Sequence, residues 1–157
     1  LVFRSYLIDT QHAFDFAASE EHYPASEFAT VVEMTEEAEL PMTVHTGEGT
    51  TPRHIAEAIE IYHPKRLGHG KFAHETNLSP ATALVQDPEL MELVKKKNIM
   101  VESCPTSNFI TNCVSEYAVH PCQDYYKAKV PVCLNTDDPM LFGTVSTLSF
   151  AHHDNRI

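Results

Sequence analysis

Short apolar runs alternate along the chain with segments in which apolar residues recur every three or four positions. The short runs are rich in β-branched residues and end at turn-forming residues, which is typical of strands. Because they are apolar almost throughout, they favour strands that are covered on both faces. The predicted strands cover residues 5–9, 13–17, 40–44, 65–67, 98–102 and 130–134.

Two helix starts are marked by a capping residue followed by proline. Thr51 precedes Pro52, and Asp87 precedes Pro88. Proline is favoured at the first helical position because its missing N–H has no intrahelical partner there. Ser26 is predicted to cap an earlier helix. The buried stripe of the helix after Pro52 is predicted to consist of Ile55, Ala58, Ile59 and Tyr62.

Repeated strand, loop and helix units predict an α/β fold with a parallel sheet and helices outside it. An open doubly wound sheet and a (β/α)₈ barrel both have this build. No G-x-G-x-x-G motif or P-loop follows a predicted strand, which disfavours a nucleotide-binding open sheet. Polar residues instead recur at the carboxyl ends of successive strands, as they do at the active face of a barrel. The sequence therefore predicts a TIM (β/α)₈ barrel.

The chain is short for such a barrel. A complete barrel needs about 250 residues, whereas this chain has 157 residues and shows only about five strand–helix units. We therefore expect an incomplete barrel, in which residues 1–157 are the C-terminal portion of a single domain and the N-terminal half is missing.

Charge and cysteine usage exclude several partners and compartments. The net charge is −11, and the only basic cluster, at 95–97, suits the last turn of a helix, so nucleic acid and membrane surfaces are not expected partners. The four cysteines form no C-x-x-C pair, and no signal peptide or long apolar span is visible, which predicts a cytoplasmic protein. Cys104 and Cys133 lie in apolar runs and are predicted to be buried thiols.

Candidate chemistry recurs just after three of the predicted strands. His45 follows one strand and has Glu48 three residues further on, His69 follows the next, and Asp137 with Asp138 follows the last. Adjacent carboxylates repel each other unless a cation compensates them, and imidazole with carboxylate is a common ligand set of metal hydrolases. Any one of these residues is ordinary for a polar loop, but their repeated placement favours a metal site.

Five stretches together resemble the adenosine/AMP deaminase family of amidohydrolase-type metal barrels. They occur in the order of that family and at about its spacing, over nearly the whole chain. The stretches are F-D-F-A-A-S-E at 14–20, H-T-G-E at 45–48, R-L-G-H-G at 66–70, S-C-P-T-S-N at 103–108 and N-T-D-D-P at 135–139.

The resemblance implies a role for each candidate. His45 and Asp137 would be Zn²⁺ ligands, and Glu48 would handle the proton at purine N1. His69 would orient the attacking water and help to deprotonate it, and Asp138 would hydrogen-bond the purine near N7. The implied activity is the zinc-dependent deamination of adenosine or deoxyadenosine, a purine nucleoside, to inosine products and ammonia.

The chain departs from the family pattern in two places. No two of its ten histidines are separated by one residue, so the family's H-x-H zinc ligands are absent. Ala18 stands where the family has a glycine whose backbone N–H contacts the purine. These departures keep two alternatives open: a deaminase of adenine or of a modified adenine nucleoside, and a non-catalytic remnant of the fold. The residues Leu67 and Gly68 before His69 favour the nucleoside enzymes.

Two further features are expected to support the site without doing chemistry. The stretch 103–108 is expected to shape the loop and hold the metal ligands from behind. Asp15 is either a strand-end cap or an acid that supports a ligand.

Overall fold

The computed structural model describes residues 13–17, 22–47, 51–69 and 83–143. The predicted strand at 5–9 and the candidates Ala18 and Glu48 lie outside the described residues. Five described strands form one sheet. They are β1 (Phe14–Phe16), β2 (Met42–Thr46), β3 (Arg66–His69), β4 (Met100–Ser103) and β5 (Val132–Leu134).

The order of the strands in the sheet follows their order in the chain, β1-β2-β3-β4-β5, and every neighbouring pair is parallel. In a doubly wound sheet the strand order reverses part-way, whereas in a barrel each crossover moves on to the next strand in the same direction. The described sheet therefore confirms the predicted α/β architecture and corresponds to part of a (β/α)₈ barrel.

Helices occupy the connections between the strands. They are α1 (Ala29–Glu37), α2 (Pro52–Tyr62), α3 (Ala83–Gln86), α4 (Pro88–Lys96), α5 (Pro105–Ile110), α6 (Cys122–Ala128) and α7 (Pro139–Phe142), with 3₁₀ turns at Ala25–Phe28 and Tyr117–Val119.

The two proline-marked helix starts are confirmed. Thr51 caps α2, and its backbone N–H donates to Nδ1 of His54 at 3.3 Å. Asp87 caps α4 through a 2.9 Å hydrogen bond from the Leu90 N–H to its carboxylate. The whole predicted stripe of α2 is buried, with Ile55 and Ile59 packed in one core cluster with Leu67 of β3.

The predicted cap at Ser26 is wrong. Ser26 lies inside the 3₁₀ turn that precedes α1, and the residue before that turn is Pro24, with φ −63° and ψ 148°. The fixed φ of Pro24 suits the residue that precedes a helical turn, so the turn starts at Ala25, one residue before the hydroxyl at position 26.

The sheet has one apolar and one polar face. The apolar face packs under α1, α2 and α4, and carries Phe16, Met42, Val44, Leu67 and Val101. The register places Asp15, His45, Arg66, Gly68 and Glu102 on the other face. The candidate site residues therefore lie on the face of the sheet that is turned away from α1, α2 and α4.

No helix within the described ranges is long and apolar enough to cross a membrane.

Candidate metal centre

His45 lies on the polar face of β2, directly opposite Gly68 of β3. A Cβ atom at position 68 would come within 2.9 Å of Cγ and Cδ2 of the His45 ring. The imidazole therefore occupies the space that a side chain at position 68 would fill, and only glycine permits this packing.

Asp15 of β1 supports the other edge of the same ring. Its Oδ1 lies 3.0 Å from Nδ1 of His45. A carboxylate at this distance favours a proton on Nδ1 and thereby leaves the Nε2 lone pair available to a cation. Of the two interpretations of Asp15, this contact favours the supporting acid over the strand-end cap.

His69 ends β3 and faces both His45 and Asp137. Its ring centroid lies 5.2 Å from that of His45, and its Nε2 lies 3.7 Å from Oδ2 of Asp137. His69 is buried at 4 % exposure, whereas 26 % of the Asp137 side chain is exposed. The structure thus brings together three candidates from three different strand ends.

Unusual backbone conformations mark two of these residues. Seven described non-glycine residues have positive φ, and five of them, Glu39, His63, Asn98, Asn112 and Lys129, follow helices, where such a conformation is common. The other two are His69, at φ 64°, and Asp137, at φ 60°. A left-handed residue costs about 1–2 kcal/mol, and such residues cluster at functional sites.

The positive φ at His69 also explains its direction. His69 follows Gly68 on β3, so regular alternation would place its side chain on the apolar face, away from His45. The left-handed conformation interrupts this alternation at the end of the strand and allows the ring to approach His45 and Asp137.

One group of three metal-ligating side chains occurs in the part of the chain that the structure describes. It consists of His69, Cys104 and Asp137, whose ligand atoms all lie within 4.8 Å of one another. His45 is not a member of this group, so the role of His45 and Asp137 as a pair of zinc ligands stays a prediction. Zinc binds N, O and S atoms at about 2.0–2.3 Å. The imidazole and carboxylate groups gathered at these strand ends are donors of this kind, so they suit zinc.

Asp138 is satisfied by protein groups. Its Oδ1 accepts hydrogen bonds from the N–H groups of Met140 and Leu141, both at 3.0 Å, and thereby caps α7. Helix N–H groups stabilise the carboxylate of Asp138. Of the two adjacent carboxylates, Asp137 is therefore the one whose charge a cation would compensate. The expected contact of Asp138 with a purine stays a prediction.

The 103–108 stretch supports His69 at its ring Nδ1, the nitrogen that does not face Asp137. The sequence predicts a loop here, whereas most of the stretch lies in helix α5. Nδ2 of Asn108, a residue of α5, lies 3.2 Å from Nδ1 of His69. Oδ1 of Asn108 lies 2.9 Å from Nε2 of His120. All three side chains are buried. No local sequence pattern distinguishes His120 from the other histidines, so the sequence alone does not predict its contact with Asn108.

Burial raises the pKa of two cysteines, Cys133 and Cys122. Arg66 pairs with Glu102 across neighbouring strands and also donates to Sγ of Cys133 at 3.4 Å. Burial raises the pKa of the half-buried Cys133 thiol, although the charge of Arg66 opposes the rise. Burial, helped by Asp124, raises the pKa of Cys122 to about 11. Both thiols are therefore less readily ionised than an ordinary cysteine. The prediction of buried thiols is right for Cys104 and only partly right for Cys133.

A family model described as adenosine deaminase matches residues 5–155. The chain belongs to the adenosine deaminase family. An adenosine deaminase of Enterococcus faecalis is 34% identical over 137 residues, which are 87% of this chain and 37% of the relative. One of Aliivibrio fischeri is 37% identical over 131 residues, 83% of this chain and 36% of the relative. The chain thus spans little more than a third of the length of these deaminases.

Solved structures related to the family share its fold. An adenine deaminase of Arthrobacter aurescens has a TM-score of 0.77 at 25% identity, over 88% of this chain and 39% of the other. Arabidopsis ADAL in complex with IMP has a TM-score of 0.73 at 27% identity, over 90% and 37%. An amidohydrolase of Burkhoderia ambifaria with bound Zn has a TM-score of 0.71 at 22% identity, over 87% and 36%, a likeness that concerns the fold alone.

Proposed function

We propose that this chain is the C-terminal portion of a single deaminase barrel domain, and that the full-length protein carrying it deaminates adenosine and deoxyadenosine with the aid of zinc. The observation that carries the proposal is the convergence of His69 and Asp137. They come from the ends of different strands, both have left-handed backbones, and they approach to 3.7 Å beside His45. Family membership and the similarity to an adenine deaminase and to a protein in complex with IMP support it.

His45 and Asp137 would hold the zinc ion, with Asp15 orienting His45 through the 3.0 Å contact. When bound, zinc would lower the pKa of a water molecule to about 7 and so supply a nucleophile near neutral pH. The remaining ligands of a three-ligand catalytic site would come from residues outside this chain, because it has no H-x-H pair.

The other candidates act on the purine. Glu48 delivers a proton to N1, which makes C6 more electrophilic, while His69 orients the water that attacks C6. Water would add to C6, and the C6–N6 bond would then break. Of the two protons of the water, one would leave with the amine as ammonia and the other would restore the proton that Glu48 gave to N1. Asp138, held by the N terminus of α7, accepts a hydrogen bond from the purine near N7. Ala18 would contact the base through its backbone N–H. The proposed partner is a purine nucleoside, and the proposed compartment is the cytoplasm.

A second candidate substrate is free adenine or a modified adenine nucleoside. The similarity to an adenine deaminase favours it, whereas the relatives of greater sequence identity are adenosine deaminases. We place adenosine first for this reason.

The experiment is ammonia release by the zinc-loaded full-length protein from adenosine, deoxyadenosine, adenine and N6-methyladenosine. We expect the highest kcat/KM with adenosine and deoxyadenosine. A higher value with adenine or the methylated nucleoside would replace the proposed substrate. No ammonia from any of the four, with zinc bound, would favour the non-catalytic remnant.

Gly68→Ala is expected to displace the His45 ring, because the added Cβ would lie 2.9 Å from two ring atoms. Loss of correct ligand orientation typically lowers metal affinity about 10–100-fold, and we expect a fall in this range. The measurement is competitive zinc titration of the full-length protein against a chromophoric chelator. Unchanged affinity would mean that His45 does not bind the metal in its present orientation.

A further inference from the structure

A chain of three hydrogen bonds connects a backbone amide to the ring of His69. The N–H of Cys122 donates to Nδ1 of His120 at 3.2 Å. Nε2 of His120 lies 2.9 Å from Oδ1 of Asn108, and Nδ2 of Asn108 lies 3.2 Å from Nδ1 of His69. His120 is 3 % exposed, Asn108 is 1 % exposed and His69 is 4 % exposed. Bulk water therefore competes little for these contacts.

The backbone amide fixes the direction of every bond in this chain. A backbone N–H can only donate, so Nδ1 of His120 must accept and carries no proton. The proton of the neutral His120 ring is then on Nε2, which donates to Asn108. Only the oxygen of an amide accepts, so Oδ1 faces His120 and the amide NH₂ faces His69. Nδ1 of His69 is therefore the acceptor.

The backbone of Asn108 is held as firmly as its side chain. Its N–H donates to the carbonyl of Cys104 at 2.9 Å, and its carbonyl accepts from the N–H groups of Cys113 and Val114 at 3.0 and 3.1 Å. Both ends of the residue are thus tied to the loop that follows β4. The amide has no room to rotate without breaking bonds that are buried.

We propose that Asn108 and His120 are positioning residues that hold His69 in the neutral tautomer with its proton on Nε2, the nitrogen that faces Asp137. His69 then presents a hydrogen-bond donor to the site. A metal needs a nitrogen with a free lone pair, and in this tautomer neither ring nitrogen has one, since Nδ1 accepts from Asn108. His69 is therefore excluded as a zinc ligand, despite its place in the three-residue group with Cys104.

This inference rests on the proposed function for its meaning and refines the role of His69. A ring that carries its proton on Nε2 orients the attacking water by donating to the water oxygen. It does not accept a proton from that water, so His69 does not have the expected role in deprotonating the water.

The test is ¹⁵N NMR of the full-length protein labelled at histidine, with and without zinc. In the wild-type protein we expect the His69 signals of a neutral ring protonated on Nε2, in both forms. Asn108→Asp replaces the donating NH₂ with an oxygen that can only accept, so the proton of His69 is expected to move to Nδ1. The zinc content should stay the same, while kcat falls about 10–100-fold with little change in KM, the size of effect known for residues that orient functional groups.

Two further variants distinguish an effect of this hydrogen-bond chain from a general disruption of the core. His120→Gln retains an N–H that can donate to Oδ1 of Asn108, so it is expected to keep the wild-type tautomer of His69. Ser107→Ala is the matched control, because Ser107 is the neighbour of Asn108, is equally buried at 1 %, and has no hydrogen-bond partner for its hydroxyl among the described residues. Its His69 signals should be those of the wild type.

The wild-type spectrum alone can overturn the proposal, even if Asn108→Asp does not fold. A His69 ring protonated on Nδ1, or one whose Nε2 signal shifts as a metal-bound nitrogen when zinc is added, contradicts it. An unchanged tautomer in folded Asn108→Asp contradicts it as well. Absence of deaminase activity together with the expected tautomer would instead reject the proposed function, but it would support the positioning of His69 by Asn108 and His120.

Discussion

Asp137→Ala in the full-length protein is expected to abolish zinc binding and deamination together. Asp137 supplies one of only two zinc ligands proposed in this chain, and a carboxylate ligand also neutralises part of the charge of the ion. Loss of an outer contact to a metal ligand typically lowers affinity about 10–100-fold, and removal of the ligand itself should exceed that range. Zinc content after dialysis, measured by atomic emission, and ammonia release from adenosine are the two readouts.

Two matched variants control for structural effects of this substitution. Asp137 has φ 60°, and alanine tolerates a left-handed conformation less well than aspartate or asparagine. Asp137→Asn keeps that preference and removes only the charge, so it should also lose zinc. Asp138→Asn keeps a side-chain acceptor for the N terminus of α7 and should retain zinc. Retention of zinc by Asp137→Asn would mean that the charge of Asp137 is not needed for metal binding.

Cys104 provides a third comparison. It lies within ligand distance of His69 and Asp137, and its Sγ is 3.8 Å from the Glu102 carbonyl. We assign it no metal bond, so Cys104→Ser should keep zinc. Parallel loss of zinc in Cys104→Ser and Asp137→Ala would transfer the metal to the three-residue group, and the tautomer proposed for His69 would then fail too.

The fold was largely predictable, because strand and helix periods are local properties of the sequence. The same local signal occurs twice. Asp87 followed by Pro88 predicts a helix start, and Asp138 followed by Pro139 caps α7 in the same way, although no helix is predicted there. The second helix has only four residues, too few for a periodic pattern to be visible.

The site was predictable only as far as strand ends determine it. Because the carboxyl ends of parallel strands meet at one edge, His45, His69 and Asp137 were expected together, and His69 contacts both of the others. Three features have no local signature: the left-handed conformations of His69 and Asp137, the contact of Asp15 with His45, and the link from His69 to Asn108. They depend on contacts between residues 30 and 39 positions apart and on strain that the whole fold imposes.

Glu48→Gln should have the opposite pattern to Asp137→Ala, with full zinc content and a large loss of rate. Glutamine is nearly isosteric with glutamate, but it cannot deliver a proton to purine N1, and C6 is then less electrophilic when water attacks. General acid–base groups contribute about 10²–10⁴-fold to rate, and we expect kcat for adenosine to fall by a factor in this range.

The decisive comparison for Glu48 is with a substrate that depends less on the proton at N1. A purine nucleoside with a halide at C6 has a better leaving group and needs less activation of the ring, so Glu48→Gln should lose less rate with it than with adenosine. Equal losses with both substrates would indicate that Glu48 only shapes the pocket. A loss below about tenfold with adenosine would be too small for a proton donor in the transition state, and it would assign the proton at N1 to another residue.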